Sequence, residues 1–247
     1  MSDRLKNDRE DAVKDKDGAL QRGPSKKKSG KAKASVLAVF LLNKDGHRRA
    51  FPDDPQKSDE QFRRSLLYFE RVKGQARHFS VPPRVELQTF NSFNDLIRKR
   101  PKGRGAKWAG AILLTHCTAR PDADVARSGI WLGDHPYFAS GPDPDEVIFE
   151  AIARANQKTL AKFQESILKP SELMIVCCGV GQTTEEVGKF MRDLFGTDGL
   201  VKIPNKRVAL DKTTGALGVM VANSDDPEEN NPTRPLRDND WITIPAR

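Results

Sequence analysis

Two runs of apolar residues end in side chains suited to nucleophilic catalysis. Ala109–Thr115 (AGAILLT) ends at His116, and Glu172–Cys177 (ELMIVC) ends at Cys178, which Gly179 follows. A thiol attacks as its thiolate, and a nearby imidazole can take its proton or pair with the anion. If the two runs are neighbouring parallel strands, both side chains emerge at one edge of the sheet. Gly179 and Gly181 let the backbone come close to a bound carbonyl. Amides there, and at the start of the helix expected from Thr183, are donors for a thiolate and an oxyanion.

Other chemistries fit less well. Gly179-Val180-Gly181-Gln182-Thr183 follows a strand but lacks the Gly-Lys-Ser/Thr ending of a phosphate loop and a third Rossmann glycine. His116, Cys117, Cys177 and Cys178 lack the gaps of zinc ligands, and no second pair is present. No cofactor and no metal are therefore expected. His47 and His135 stand isolated and read as surface polar groups, and Trp108 and Trp131 read as packing. Three cysteines, two of them adjacent, make a poor disulfide framework, so free thiols in a reducing, cytoplasmic setting are expected.

The elements around these residues alternate between strand and helix. Ser35–Leu42 is a continuous apolar run, as in a strand covered on both faces. A loop carrying Asp45-Gly46 and Pro52/Pro55 follows. Phe62, Leu66 and Phe69 then mark one face of a helix over Ser58–Lys73. Val85–Phe90 alternates as a strand, and Asn91–Lys99 reads as a short helix stopped before Pro101. Ser128–Gly133 reads as a short strand or hairpin arm. Ile148, Ile152, Ala155, Leu160, Phe163 and Ile167 predict a helix within Asp145–Leu168. Thr183 and Glu186 form a possible capping box for a helix with Val187, Phe190, Met191 and Leu194 inward. Val208–Leu210 and Leu217–Val221 flank a hairpin turn. The pattern predicts an α/β fold with a mostly parallel sheet and helices on both faces. Reactive groups in such sheets gather beyond the carboxyl ends of the strands.

The 247 residues are 37% hydrophobic and 31% charged, with net charge +8. Residues 1–34 hold 11 Lys/Arg against 6 Asp/Glu and no apolar period, so they read as a disordered basic arm. That arm could touch nucleic acid or an anionic surface. The rest is not basic enough to read as a nucleic-acid module. Residues 35–222 read as the domain and 223–247 as a polar extension, in which Trp241, Ile242 and Ile244 suggest a final docked strand. No run approaches the roughly 20 apolar residues of a bilayer span, and the charged N-terminus lacks a secretory signal.

The layout resembles the caspase-like superfamily of caspases, gingipains, separases and bacterial CHAT proteases, closest to bacterial stand-alone domains. The resemblance rests on Thr115-His116, Trp131-Leu132-Gly133, Val176-Cys177-Cys178-Gly179 and Val187 to Phe195-Gly196, within roughly residues 35–215. His precedes Cys by 62 residues, against about 50 in caspases. It implies a three-layer caspase-like sandwich and a cysteine endopeptidase with His116 and Cys178 as catalytic dyad. The amides of Cys117 and Gly179 would hold the oxyanion. Where the family has His-Gly this chain has His116-Cys117, which puts a side chain in the crevice. The resemblance implies no cofactor, a protein or peptide substrate, and an activating partner. Family members choose the residue before the cut by a charged pocket. Asp134, Asp143 and Asp145 would attract a basic side chain, Arg120 or Arg127 an acidic one. Bacterial relatives serve antiviral defence or cell death. The alternative expectation is an inactive caspase-like domain that binds a protein or nucleic acid.

Overall fold

The computed structural model describes residues 35–78, 83–120, 127–138, 156–177, 184–220 and 232–247. The chain begins with strand β1 (Val36–Leu42), helices α1 (Lys44–Ala50) and α2 (Pro55–Ala76), strand β2 (Arg84–Phe90) and a one-turn helix α3 (Phe93–Leu96). Strand β3 (Trp108–Leu114) leads into β4 (His116–Arg120), β5 (Arg127–Trp131) and β6 (Pro136–Phe138). Next come helix α4 (Gln157–Glu165), strand β7 (Ile167–Val176), helix α5 (Thr184–Phe195) and strand β8 (Val201–Pro204). Strands β9 (Val208–Leu210), β10 (Leu217–Val219), β11 (Arg234–Pro235) and β12 (Trp241–Ile244) follow.

Six strands form the central sheet in the order β12-β8-β7-β3-β1-β2. The pairs β1/β2, β1/β3, β3/β7 and β7/β8 are parallel, and only the β12/β8 pair at the edge is antiparallel. Continuous apolar runs suit the inner strands because both faces are covered. Alternation along each strand sorts the core into two layers. On one face Ala38, Phe40, Leu42, Leu113, Leu173 and Ile175 meet α3, α4 and α5. Phe40, Trp108, Phe163 and Phe195 pack edge-on there, with ring centroids 5.1–6.0 Å apart. On the other face Val39, Leu41, Ile112, Leu114 and Val176 meet Tyr68 and Phe69 of α2. The expected α/β fold, with a mostly parallel sheet, is what the chain forms.

Several local readings are corrected. Asp45-Gly46 lies inside α1, not in a loop, because Asn43 caps the helix by accepting from the Gly46 amide at 2.9 Å. Helix α4 ends at Glu165, and Ile167 belongs to β7. The Trp108 amide donates to the Ser166 carbonyl at 2.9 Å, so the start of β3 captures the chain as the helix stops. Residues 145–155 and Thr183 lie outside the described residues. Residues 232–247 of the polar C-terminal stretch are also more regular than their composition suggests. Arg234 donates to both carboxylate oxygens of buried Asp240, at 2.5 and 2.9 Å, and β11 pairs with β10. Strand β12 docks on β8 as expected, so the compact unit runs on to Arg247. Among the described residues no helix is long and apolar enough to cross a membrane.

Candidate functional site

The carboxyl ends of β1, β2, β3 and β7 converge at one edge of the sheet. Leu114 and Val176 are the last paired residues of β3 and β7, and the Thr115 amide donates to the Val176 carbonyl at 3.1 Å. The chain leaving β3 turns directly into the small antiparallel sheet β4-β5-β6, where His116 pairs with Trp131. The Thr115 hydroxyl donates to the Trp131 carbonyl, which pins that exit. Trp131 in turn donates from Nε1 to the Gly46 carbonyl at 3.3 Å, tying the small sheet to α1. Arg49 of α1 donates to the carbonyls of Asn91 and Gly133, at 2.9 and 3.3 Å, and so links the ends of β2 and β5. His116 is thus held from three sides.

His116 is half-buried and meets two rings. Its Nε2 lies 2.9 Å from Nδ1 of His47, and the two imidazoles pack edge-on at 5.0 Å. Phe51 packs edge-on from the other side at 4.9 Å. Burial, then the neighbouring His47, then the Lys57 ammonium lower the His116 pKa from 6.5 to about 3. His47 is itself 3% exposed, and burial lowers its pKa to about 4, the Leu42 carbonyl offsetting this in part. Both rings are therefore neutral at physiological pH, and His116 is not a standing cation. Reading His47 as an isolated surface group is corrected. The signal was present: like His116 and Cys178, His47 lies just past an apolar strand, but Asp45-Gly46 disguised its helix as a turn.

The cysteines are corrected as well. Cys117 and Cys177 form a disulfide with Cα atoms 5.5 Å apart, inside the normal range for such bonds. Their odd number and adjacency in sequence argued against a framework, but β3 and β7 end side by side and the turn from β3 into β4 brings 117 to 177. Both side chains pack with the core layer of α3, α4 and α5. The Cys117 side chain is thus drawn into that bond and that layer instead of filling the crevice beside His116. Cys178, the one cysteine outside the bond, lies with Gly179 and Asp143 outside the described residues.

Asp134 has internal partners. Its Oδ1 accepts from the Phe93 amide at 3.2 Å, the His135 amide at 3.1 Å and the Tyr137 hydroxyl at 3.0 Å. Burial and this carboxylate push the Tyr137 phenol strongly upward. Those bonds fix the turn at Gly133, whose φ of +99° only glycine adopts readily and whose missing Cβ would meet the Asn91 carbonyl. Gly133→Ala is expected to cost about 2 kcal/mol in a urea unfolding experiment. A change below about 0.5 kcal/mol would show that the turn adapts. The side chains of Arg120 and Arg127 are not among those described. Among the described residues no cluster of three or more metal-ligating side chains occurs. Comparison with family models, with curated proteins and with solved structures gives no match for this chain.

Proposed function

We propose that this chain is a caspase-like cysteine peptidase with a three-layer sandwich fold, in which His116 serves Cys178. The observation that carries the reading is the bonded pair Cys117–Cys177. His116 and Cys178 each adjoin one member of a pair whose Cα atoms are 5.5 Å apart, and consecutive Cα atoms are about 3.8 Å apart. Strand parity adds support. Met174 and Val176 face the α2 layer, while Leu173, Ile175 and Cys177 face the opposite one. The reading takes Cys178, two residues after Val176, as the thiol on this side, where His116 meets His47 of α1. With Cys177 bonded to Cys117, the reading takes Cys178 as the nucleophile.

In this mechanism the Cys178 thiol transfers its proton to His116 as sulfur attacks a peptide carbonyl. The electron pair of the C=O bond moves to oxygen, where the amides of Cys117 and Gly179 donate. His116 then gives the proton to the leaving amine, and water hydrolyses the acyl-thioester. A neutral imidazole, which the surroundings of His116 favour, is the form that the first step needs. Asp134 and Asp143 are proposed only as charge that draws a basic peptide residue toward the crevice. A cytoplasmic setting, with defence or cell death as the role, would require the disulfide to be formed transiently.

The test is the rate of iodoacetamide alkylation at Cys178, mapped by mass spectrometry, in the oxidised chain at pH 7. His116→Ala is expected to slow it at least tenfold, and a peptide-library screen should show cleavage abolished by Cys178→Ala. An alkylation rate unchanged by His116→Ala, with no cleavage of any library member, would sink the peptidase reading. The same result would favour the binding-module alternative.

A further inference from the structure

His116 has a second imidazole at its back, and nothing in a two-residue dyad requires it. His47 is almost fully buried in α1, whose start is fixed by the Asn43 cap. The His47 carbonyl is held by the Ser58 hydroxyl of α2 at 3.2 Å, and Phe62 of α2 lies 6.2 Å from the ring. The ring therefore has a fixed place, and its Nδ1 hydrogen-bonds with His116 Nε2 at 2.9 Å. Its own Nε2 is buried with no hydrogen-bond partner. A buried polar group left this way is costly, and such features concentrate where function demands a particular geometry. Two neutral imidazoles can share only one proton between facing nitrogens, so one must donate and the other accept. In the arrangement with the His47 proton on Nε2, its Nδ1 is the acceptor and the His116 Nδ1 lone pair is left free.

We propose that His47 is a positioning residue for His116: its Nδ1 accepts the His116 Nε2–H, fixes that tautomer and leaves His116 Nδ1 as the base for the thiol proton. This rests on the peptidase reading given above. In the attack step the thiol proton moves to His116 Nδ1 while the S–C bond forms and the carbonyl π pair goes to oxygen. The resulting imidazolium keeps its Nε2–H on His47, whose lone pair stabilises the charge as a carbonyl or carboxylate would. His47 stays neutral throughout, because two cationic rings 2.9 Å apart would repel strongly. When the amine departs with the Nδ1 proton, His116 returns to the same tautomer. The other charged group bearing on His116 is Lys57 of α2, whose ammonium stands 4.6 Å over the Phe51 ring. Like a charged His47 it opposes protonation of His116, so only a neutral His47 can serve the imidazolium.

The test uses the full oxidised chain and four forms: wild type, His47→Leu, His47→Gln and His116→Ala. Two readouts are taken, the pH profile of Cys178 alkylation from pH 4 to 9 and the side-chain ¹⁵N spectrum of the histidines. Wild type is expected to show His116 as the Nε2–H tautomer. His47→Leu should give a mixed tautomer and about a tenfold slower alkylation with a shifted profile. His47→Gln, whose amide oxygen can accept the same hydrogen bond, should recover most of both and guards against a folding defect in the leucine variant. A wild-type profile and tautomer in His47→Leu, with His116→Ala still impaired, would overturn the proposal and leave the dyad standing. If His116→Ala has no effect on alkylation the dyad itself fails. The tautomer spectrum still judges His47 in that event: loss of the Nε2–H form in His47→Leu supports positioning, and its retention refutes it.

Discussion

Removing the Cys117–Cys177 bond is expected to lower the unfolding free energy by about 4 kcal/mol. The bond closes a loop whose ends are 60 residues apart in sequence, and the cross-link acts mainly by restricting the unfolded chain. The cost is large against the ordinary margin of roughly 5–15 kcal/mol for a whole domain. Urea denaturation of the wild type with and without reductant, and of the Cys117→Ala/Cys177→Ala double variant, measures it. Reduced wild type and double variant should agree, because both lose the same loop constraint. A difference from the oxidised chain below about 1 kcal/mol would show that the bond contributes little. The bonded residues adjoin His116 and Cys178, so reduction is also expected to slow Cys178 alkylation more than it slows global folding.

Acid should unfold the protein earlier than its carboxylates alone require. His47 has a folded pKa of about 4 and His116 one of about 3, both below the unfolded value of 6.5. Between pH 6.5 and 4 the unfolded chain binds protons at these rings and the folded chain does not. Stability is therefore complete above pH 6.5 and falls as the pH drops through this window. For buried His47 the loss is about 3 kcal/mol by pH 4, and half-buried His116 adds to it with the same sign. Glu60, held near 2 by Arg63 and Arg64, titrates mostly below this window. Urea midpoints at pH 7, 6, 5 and 4.5 should decline in wild type and flatten in His47→Gln. An identical decline in both chains would show that His47 is not a source of the acid sensitivity.

The elements that position the site were legible because each depends on local pattern. Apolar runs marked β1, β3 and β7, and the 3.6-residue spacing of Phe62, Leu66 and Phe69 marked α2. The hairpin at Lys212–Gly215 and the final strand at Trp241 were equally plain. Where a local signal had two meanings the reading failed. Asp45-Gly46 suits a turn, yet Gly46 sits inside α1, where a Cβ would press on the Leu42 side chain. Ile167 fits a helical spacing, yet its place opposite Trp108 puts it in β7. Arg234 and Asp240 sit in a stretch too polar to suggest burial, and only their mutual pairing makes it affordable.

His116 and Cys178 stood out from sequence by themselves, since a reactive side chain directly after a buried strand is a property of one short segment. The α/β class and the mostly parallel sheet followed from the same segments, because hydrophobic period and strand–helix alternation are written along the chain. Pairing between distant residues was decided only by the tertiary structure. That β3 lies beside β7 and turns directly into β4 brought Cys117 to Cys177 and turned two expected thiols into a disulfide. That α1 folds back across the strand ends brought His47 to His116, 69 residues away, and made both rings neutral by burial. Contacts of this kind depend on which surfaces meet when the core closes, and no local pattern in the chain records them.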